Sequence, residues 1–178
     1  MKITEKQKAY YQTGETRNIS FRICQLKSLK ETLKKYEKEM YHAFMIDLNK
    51  SESEAYLTEL GMVYHEIDTA IRNTKKWSKK RRAKTPLFLF GTASKVYYEP
   101  VGTVLIIVPF NYPVQLAFIP LIGAIMAGNT AVVKLSELTP HVSTVIQKII
   151  TETFEESYVC AIEGEVDVVT QLLENPLT

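Results

Sequence analysis

Cysteine is scarce in this sequence, and the two that occur, Cys24 and Cys160, are far apart. Such a pair predicts neither a disulfide framework nor a zinc cluster, and it is typical of proteins from a reducing compartment. The first ten residues contain no apolar run of the kind that a signal peptide needs. No apolar stretch is long enough for a transmembrane helix. Together these absences predict a cytoplasmic protein with no membrane-spanning segment.

A strong charge imbalance is also missing. The net charge is +2 over 178 residues, which gives no general argument for a nucleic acid or an anionic membrane as partner. The one local exception is the basic run 75–84, KKWSKKRRAK. It is either a phosphate-binding patch or, as we favour, a solvated helix end followed by a surface loop, because no second basic cluster accompanies it. We therefore predict no nucleic-acid partner.

Glycine-rich phosphate loops and metal-binding clusters are absent as well. No Gly-x-Gly-x-x-Gly follows any predicted strand, so the usual dinucleotide fingerprint is missing. His42, His65 and His141 are isolated from one another, which predicts no metal site. Cys160 falls inside a predicted buried strand and Cys24 on the apolar side of a predicted helix. We therefore assign neither thiol as a nucleophile.

Helical periodicity dominates residues 1–85. After a short polar helix or arm, apolar residues recur every three or four positions from Ile19 to Phe44, which predicts one long helix. A polar break follows, after which Ser51 or Ser53 can cap a second helix that runs to Trp77. We expect the two helices to form an antiparallel pair that lies against a sheet.

Residues 86–99 predict a β-hairpin between two prolines, Pro86 and Pro100. Its strands would be Leu87–Phe90 and Lys95–Tyr98, because both segments are rich in apolar and aromatic residues and a glycine-containing turn separates them. We treat this hairpin as a region of its own between the helices and the sheet.

Strands and helices alternate in the remaining residues, 100–178. Val101–Val108 is an apolar run rich in β-branched residues, as expected of a strand buried on both faces of a parallel sheet. Pro120 should divide the next helix into two pieces, about 113–118 and 120–127. The later elements are predicted as a strand, a helix with Thr139 as its N-cap, a third strand and a last helix (130–135, 140–154, 158–162 and 165–173). The chain is therefore predicted to be α/β, with a partial Rossmann-like parallel sheet after the helical pair and the hairpin.

The block 99–140, EPVGTVLIIVPFNYPVQLAFIPLIGAIMAGNTAVVKLSELTP, matches a known family over its whole length. It resembles the cofactor-binding half of the aldehyde dehydrogenase superfamily. The Asn-Tyr-Pro turn and the Ala-Gly-Asn helix end resemble the class 3 branch. The rest of the chain, from about Thr16 onward, is compatible with the N-terminal portion of that family. The resemblance implies a truncated aldehyde dehydrogenase fold and a homodimer in which the hairpin takes part in subunit contacts.

The resemblance also implies roles for residues that follow the predicted strands. Lys134 and Glu137, in the family's Lys-Pro-Ser-Glu motif, would hydrogen-bond the adenosine ribose hydroxyls of NAD. The Glu137 carboxylate would repel the 2′-phosphate of NADP, so NAD would be the favoured cofactor. NADP stays possible. Asn111 would donate its amide to the oxyanion of the tetrahedral intermediate. The other residues that the resemblance places at the cofactor are Ile107, Val108, Pro109, Phe110, Ser136 and Gly164.

Each of these residues also has a purely structural interpretation. Lys134 and Glu137 would form a surface pair at a strand end, and Asn111 would stabilise a turn between two prolines. The apolar residues before it would belong to the core. The sequence also departs from the family's pattern at three positions. Leu135 stands where the family usually has Pro, Phe110 where many members have Trp, and Glu165 where class 3 members often have a second Gly.

The resemblance predicts the N-terminal part of an NAD(P)-dependent aldehyde dehydrogenase, which would oxidise a small-molecule aldehyde to a carboxylic acid. The family's catalytic cysteine and general-base glutamate would lie beyond Thr178, so the 178-residue chain alone is expected to be inactive. Two alternatives stay open. One is a non-catalytic nucleotide-binding module, and the other is an oligomerisation remnant that associates through the hairpin and an exposed sheet edge.

Overall fold

The computed structural model describes residues 2–174, and its first half is helical. Ser51 caps the helix Glu52–Ala55, because its Oγ accepts a hydrogen bond from the Glu54 N–H at 3.3 Å. This is one of the two predicted alternatives. Asn18 caps the helix Ile19–Lys35 in the same way through the Ser20 N–H, at 2.9 Å. The helices of this half are α1 (Lys2–Gln12), α2 (Ile19–Lys35), α3 (Glu37–Leu48), α4 (Glu52–Ala55) and α5 (Gly61–Trp77).

A short antiparallel pair follows, formed by β1 (Arg81–Arg82) and β2 (Lys95–Val96). The hairpin strand predicted at Leu87–Phe90 is wrong, because Leu87–Leu89 forms a 3₁₀ turn between β1 and β2. Side chains at this turn have no sheet face to pack on, so nothing favours an extended pairing. The apolar side chains left in solvent are Leu87, Phe88 and Phe90, with 93%, 84% and 95% of their surface exposed.

The second half is built on a three-stranded parallel sheet, as predicted. Its elements are β3 (Thr103–Ile107), α6 (Pro113–Ala127), β4 (Thr130–Lys134), α7 (Pro140–Thr153), β5 (Val159–Ile162) and α8 (Val166–Glu174). The strand order is β3-β4-β5. Ile107, Lys134 and Ile162 are aligned at the carboxyl ends of the three strands. The predicted α/β class and the partial Rossmann-like sheet are therefore confirmed.

Helices cover both faces of the sheet. Ala131 and Val133 of β4 face the main core with α6 and α7, and α2, α3 and α5 pack outside those two helices. Val132 faces the other side, where it clusters with Cys160 of β5 and Leu172 of α8. α1 crosses β3 and β4. There the Gln7 side-chain amide donates to the Ala131 carbonyl at 2.7 Å.

The single long helix predicted from Ile19 to Phe44 is wrong, because the chain bends at Tyr36 between α2 and α3. The two halves pack on different neighbours. α2 packs on α5, α6 and α7, whereas α3 packs chiefly on α7. The Tyr36 hydroxyl sits at the bend and donates to Glu152 of α7 at 2.7 Å. One straight helix could not make both sets of contacts.

A π turn, Tyr56–Leu60, interrupts the helix between α4 and α5. In such a turn the backbone bonds reach five residues instead of four. A Cβ on Gly61 would lie 2.8 Å from the Tyr56 carbonyl oxygen, so the turn needs glycine at that position. The turn directs Glu59 as well as Leu60 into the interior, and both are fully buried.

The two helical pieces predicted around Pro120 are also wrong, because α6 is continuous from Pro113 to Ala127. An interior proline costs roughly 3 kcal/mol. The inward face buries large side chains at Phe118, Leu121 and Ile122, each worth about 1.5–3 kcal/mol. Pro120 and Leu116, whose carbonyl loses its partner, are both exposed. Burial on the inward face therefore outweighs the missing bond on the outward face.

The division of the chain into 1–85, 86–99 and 100–178 stays a prediction. The helices, the hairpin and the sheet do follow one another in that order. Residue 1 and residues 175–178 lie outside the described residues, and so do the two outer limits of the predicted division.

Candidate functional site

The carboxyl ends of the parallel strands bring most of the predicted site residues to one edge of the sheet. Ile107 and Lys134 are direct register partners, and the Val108 N–H donates to the Lys134 carbonyl at 2.9 Å. Val108 is buried, whereas Ile107 and Phe110 are about half exposed, at 47% and 52%. These two side chains therefore offer apolar surface beside a strand end, where ligands of such sheets bind.

Lys134 and Glu137 form an ion pair at the end of β4. The Lys134 ammonium lies 2.5 Å from Glu137 Oε2, and 4% of the Lys134 side chain is exposed against 42% of the Glu137 side chain. The hydrogen bond from Lys134 is the main reason why the pKa of Glu137 lies below its ordinary value. Glu137 is therefore ionised at neutral pH and presents its carboxylate to solvent, where a diol could donate to it.

A cleft of about 250 Å³ lies beside this pair. Ser136 closes one side of it: its Oγ accepts from the Leu138 N–H at 3.3 Å and its carbonyl accepts from the Ser143 hydroxyl at 2.8 Å. Two further carboxylates enter the lining from the β5–α8 turn, so the cleft is strongly acidic. Its lining residues are Leu135, Ser136, Glu137, Pro140, Ser143, Thr144, Glu163, Gly164 and Glu165.

Gly164 lines this cleft, and its own backbone conformation explains why it is glycine. Its φ is +147°, and a Cβ there would lie 2.5 Å from Cγ2 of Val168 in α8. The turn into α8 therefore excludes a side chain at residue 164, whether or not a ligand approaches. Leu135, at the family's proline position, donates its N–H to the Ile162 carbonyl at 2.9 Å, a bond that proline cannot make.

Asn111 lies in an exposed turn between β3 and α6. The next residue, Tyr112, adopts the left-handed conformation (φ 51°, ψ 52°) and offers no side-chain cap to α6. A non-glycine residue in this region costs free energy unless its surroundings hold it there. Contacts from other segments must therefore hold Tyr112 in this conformation.

Those contacts come from two charged residues that our sequence analysis did not single out. Glu59, in the π turn, is fully buried, and its Oε1 lies 2.6 Å from the Lys50 ammonium. Its Oε2 accepts from the Val114 N–H at 2.8 Å. Lys50 also lies over the Tyr112 ring, 4.5 Å from its centre. No short motif marks these residues, because Glu59 and Val114 are 55 positions apart.

Thr139 occupies the N-cap position of α7, as predicted, but its side chain makes no capping hydrogen bond. Its hydroxyl oxygen is buried without a hydrogen-bond partner. Asp47 caps the helix instead: its Oδ2 accepts from the Val142 N–H at 2.8 Å, and its Oδ1 lies 2.7 Å from Nδ1 of His141. The N-termini of both α6 and α7 are thus capped by carboxylates from the N-terminal helices, Glu59 and Asp47.

A cavity of about 670 Å³ lies at the other end of α6. Its walls include Arg22, the carboxyl end of α6 and part of the basic run, which spans the end of α5 and β1. The Arg22 guanidinium donates to three carbonyls, those of Thr16, Met126 and Arg17 (2.6, 3.0 and 3.1 Å). Within residues 2–174, no carboxylate pairs with Arg22 or with the cations of the basic run.

Neither cysteine lies among the site residues. Cys24, predicted on the apolar side of its helix, is exposed. Cys160 is buried in β5, and burial raises the pKa of its thiol to about 12. Among the residues that the structure describes, no three metal-ligating side chains are grouped so that they could hold a metal ion. In the same part of the chain, no helix is both long and apolar enough to cross a membrane.

Comparison with known proteins identifies relatives along almost the whole chain. The sequence profile described as "Aldehyde dehydrogenase family" matches residues 2–178. The chain is 49% identical to the 4,4'-diaponeurosporen-aldehyde dehydrogenase of Staphylococcus aureus, a match that covers 95% of this chain and 37% of the relative. It is 38% identical to the aldehyde dehydrogenase family 3 member F1 of Arabidopsis thaliana, covering 93% of this chain and 34% of the relative. The chain thus spans about a third of the length of these relatives.

Solved structures show the same fold. The substrate-bound state of Staphylococcus aureus AldH is 47% identical, with a TM-score of 0.96 over 98% of this chain and 38% of that one. The NADP+ complex of succinic semialdehyde dehydrogenase from Streptococcus pyogenes is 15% identical, with a TM-score of 0.85 over 98% and 38% of the two chains. At that identity only the fold is shared. The resemblance seen in the sequence, including its class 3 character, is confirmed: the chain belongs to the aldehyde dehydrogenase family.

Proposed function

We propose that this chain supplies the N-terminal part of an NAD(P)-dependent aldehyde dehydrogenase, which oxidises an aldehyde to a carboxylic acid. The main support for this proposal is the Lys134–Glu137 pair at the carboxyl edge of the parallel sheet, beside the strand that leads to Asn111. Ligand sites of such sheets lie at this edge. The aldehyde in the name of the Staphylococcus aureus relative supports the substrate class.

The residues at this edge fit the adenosine side of a nicotinamide dinucleotide. Glu137 would accept hydrogen bonds from the ribose hydroxyls, because its carboxylate is ionised and 42% exposed. Lys134 would hold that carboxylate and donate to the same hydroxyls. Ser136 and Gly164 would border the adenosine, and Ile107, Val108, Pro109 and Phe110 would line the way to the nicotinamide. When bound, the cofactor supplies the acceptor for the hydride of the aldehyde.

The acidity of the cleft supports NAD over NADP. Glu163 and Glu165 line the same cleft as Glu137, so a 2′-phosphate would meet three carboxylates and one ammonium. Repulsion between the phosphate and these carboxylates would be unfavourable, most of all where water is partly excluded. We therefore propose NAD as the cofactor, with NADP as the weaker alternative.

Asn111 would act on the reacting carbonyl. Its side-chain NH₂ can donate to an oxyanion, and its exposed turn leaves it open to a substrate. Loss of one such donor typically raises the barrier by about 3–4 kcal/mol. The attacking thiol would come from outside residues 1–178, since Cys160 is buried with a raised pKa and Cys24 lies on α2. We therefore propose that the chain alone does not turn over.

Calorimetric titration of the chain with NAD tests the cofactor site. We expect saturable binding that weakens roughly tenfold in Glu137→Gln, because charge-assisted bonds to the ribose are lost. Glu152→Gln is the matched control, since it removes an exposed carboxylate that pairs with Lys35 on α2. Equal affinities for wild type and Glu137→Gln would contradict the role of Glu137. Absence of binding at millimolar NAD would contradict a site preformed by this chain alone.

A second assay addresses the lack of turnover. The chain is mixed with NAD and a panel of aldehydes, and the absorbance of reduced cofactor is followed. We expect no protein-dependent rise, because no thiol lies at the site. A clear rise would contradict the proposed inactivity. Cofactor binding without turnover that survives Asn111→Ala would instead favour a non-catalytic nucleotide-binding module.

The exposed tip of the hairpin favours self-association as an additional role. Leu87, Phe88 and Phe90 are 84–95% exposed side by side, and apolar patches of this kind mark interaction sites. We propose a cytoplasmic homodimer with this tip in the subunit contact. Sedimentation should show a dimer for wild type and for Leu57→Ser, an equally apolar exposed site elsewhere, but a monomer for Phe88→Ser. A monomeric wild type would contradict both the dimer and the oligomerisation remnant.

A further inference from the structure

A buried ion pair, Lys50–Glu59, contacts the turn that contains Asn111. Glu59 has no exposed side-chain surface and Lys50 has 13%, with 2.6 Å between the ammonium and Oε1. Burying two charges is unfavourable, and apolar side chains of the same volume often stabilise a fold as well or better. The other contacts of Glu59 and Lys50 therefore indicate why this pair is buried.

The second oxygen of Glu59 contacts the beginning of α6. Oε2 accepts from the Val114 N–H at 2.8 Å and lies 3.4 Å from the Gln115 nitrogen. These amides belong to the first turn of the helix, whose N–H groups have no partner within the helix. Tyr112, the N-cap residue, offers no side-chain bond. Glu59 thus replaces the missing cap from a different helix, and its negative charge lies at the positive end of α6.

Lys50 contacts the residue immediately after Asn111. Its ammonium lies 4.5 Å from the centre of the Tyr112 ring and 5.5 Å from that of Phe44. An ammonium over an aromatic face is attractive, more so when it is shielded from water. Tyr112 has the left-handed backbone conformation that a tyrosine adopts only when it is held there (φ 51°). Glu59 fixes the chain after Tyr112, and Lys50 fixes its ring.

We propose that Glu59 and Lys50 are positioning residues that set the direction of the Asn111 side chain. This inference rests on the proposed role of Asn111 as a donor to the oxyanion. A donor of that kind is effective only if it is already in place when the charge develops. The π turn fits this role, since π turns occur often at functional sites and this one turns Glu59 inward toward α6.

NMR spectra of the ¹⁵N-labelled 178-residue chain test the proposal without cofactor or turnover. In Glu59→Gln, hydrogen exchange at the Val114 amide should accelerate roughly tenfold or more, because the charged acceptor is lost. The backbone and side-chain signals of Asn111 should shift or broaden with it. The matched control is Asp47→Asn, which weakens the corresponding cap of α7. It should change the Val142 signal and leave Asn111 as in wild type.

The Lys50 variants test the other half of the pair without removing the cap itself. Lys50→Met should shift the signals of Tyr112 and Asn111, and Lys50→Arg should restore them, because a guanidinium keeps a charge over the ring. An unchanged Asn111 in Lys50→Met, and in Glu59→Gln where that variant folds, overturns the proposal and leaves Glu59 a helix cap only. If Glu59→Gln unfolds, the Lys50 pair decides alone.

The outcome is separate from that of the proposed function. These spectra report the order of the turn, whereas the use of Asn111 in catalysis is measured by Asn111→Ala in a complete enzyme that contains the nucleophile. A well-held Asn111 in an enzyme indifferent to Asn111→Ala would remove the proposed function while the positioning stands. A disordered Asn111 in the wild-type chain would overturn the positioning.

Discussion

Arg22 holds three segments of the chain together, and its removal should be among the most damaging substitutions outside the site. Its guanidinium donates to the carbonyls of Thr16 and Arg17, which precede α2, and to that of Met126 at the carboxyl end of α6. Only 6% of the residue is exposed. Burial lowers the pKa of Arg22, because taking a charge out of water is unfavourable, and this desolvation offsets part of what the bonds contribute.

The expected loss follows from the bonds that a substitution removes. Arg22→Met keeps the apolar stem but deprives three carbonyls of their donor. A hydrogen bond contributes about 1 kcal/mol net, so the variant should lose about 3 kcal/mol of unfolding free energy. Arg22→Lys keeps the charge but not the planar fork, and with one or two of the bonds retained it should lose about 1–2 kcal/mol.

Urea unfolding followed by circular dichroism measures these losses. With a denaturant slope of about 2 kcal/mol per molar, the midpoint of Arg22→Met should fall by about 1.5 M. Arg72→Met is the matched control, since Arg72 is exposed on α5 and its nearest partner is the Thr69 hydroxyl at 3.4 Å. That variant should stay within about 0.5 kcal/mol of wild type. Equal midpoints for the Arg22 and Arg72 variants would show that the three hydrogen bonds of Arg22 do not stabilise the fold.

Three further predictions concern the π turn, the thiols and the role proposed for Asn111. Gly61→Ala should lower the melting temperature by several degrees, because its Cβ would lie 2.8 Å from a backbone oxygen. Gly123→Ala, with nothing within 4 Å of its Cβ, should instead raise stability by about 0.5–1 kcal/mol. A melting temperature that neither glycine substitution changes would contradict this explanation. A thiol reagent at pH 8 should modify Cys24 quickly and Cys160 only on unfolding, because the pKa of Cys160 is raised to about 12. Two fast thiols per folded chain would be the contrary result. In a complete enzyme, Asn111→Ala should lower kcat by about 10²–10³-fold, and steady-state kinetics that show a change in KM alone would exclude the oxyanion role.

The sheet and the position of Lys134 and Glu137 at its carboxyl edge were predictable because their signals are local. A strand of a parallel sheet is buried on both faces, so Val101–Val108 appears in the sequence as one apolar run. The carboxyl ends of parallel strands share an edge. The residues after two such runs therefore had to lie near each other, and Ile107 and Lys134 are in fact register partners.

The support of the Asn111 turn was not predictable, because it depends on contacts between distant segments. Glu59 stands in YLTEL, which looks like any amphipathic helix, and the π turn that buries it leaves no mark on the apolar period. Nothing in the sequence connects Asp47 with α7, yet it caps that helix from 95 positions away. Pro120 does not end its helix as an interior proline usually would, because the burial of one face of α6 outweighs a single missing backbone hydrogen bond.

The caps on α6 and α7 agree with the absence of a Gly-x-Gly-x-x-Gly motif from the sequence. In many nucleotide-binding folds, a helix N-terminus after the first strand is open and holds a phosphate. Here both N-termini are already neutralised by the chain's own carboxylates, Glu59 and Asp47. A turn that cradles no phosphate has no need of glycines. The sequence between β3 and α6 therefore needs no phosphate-binding glycines, and residues with side chains, Asn111 among them, can occupy it.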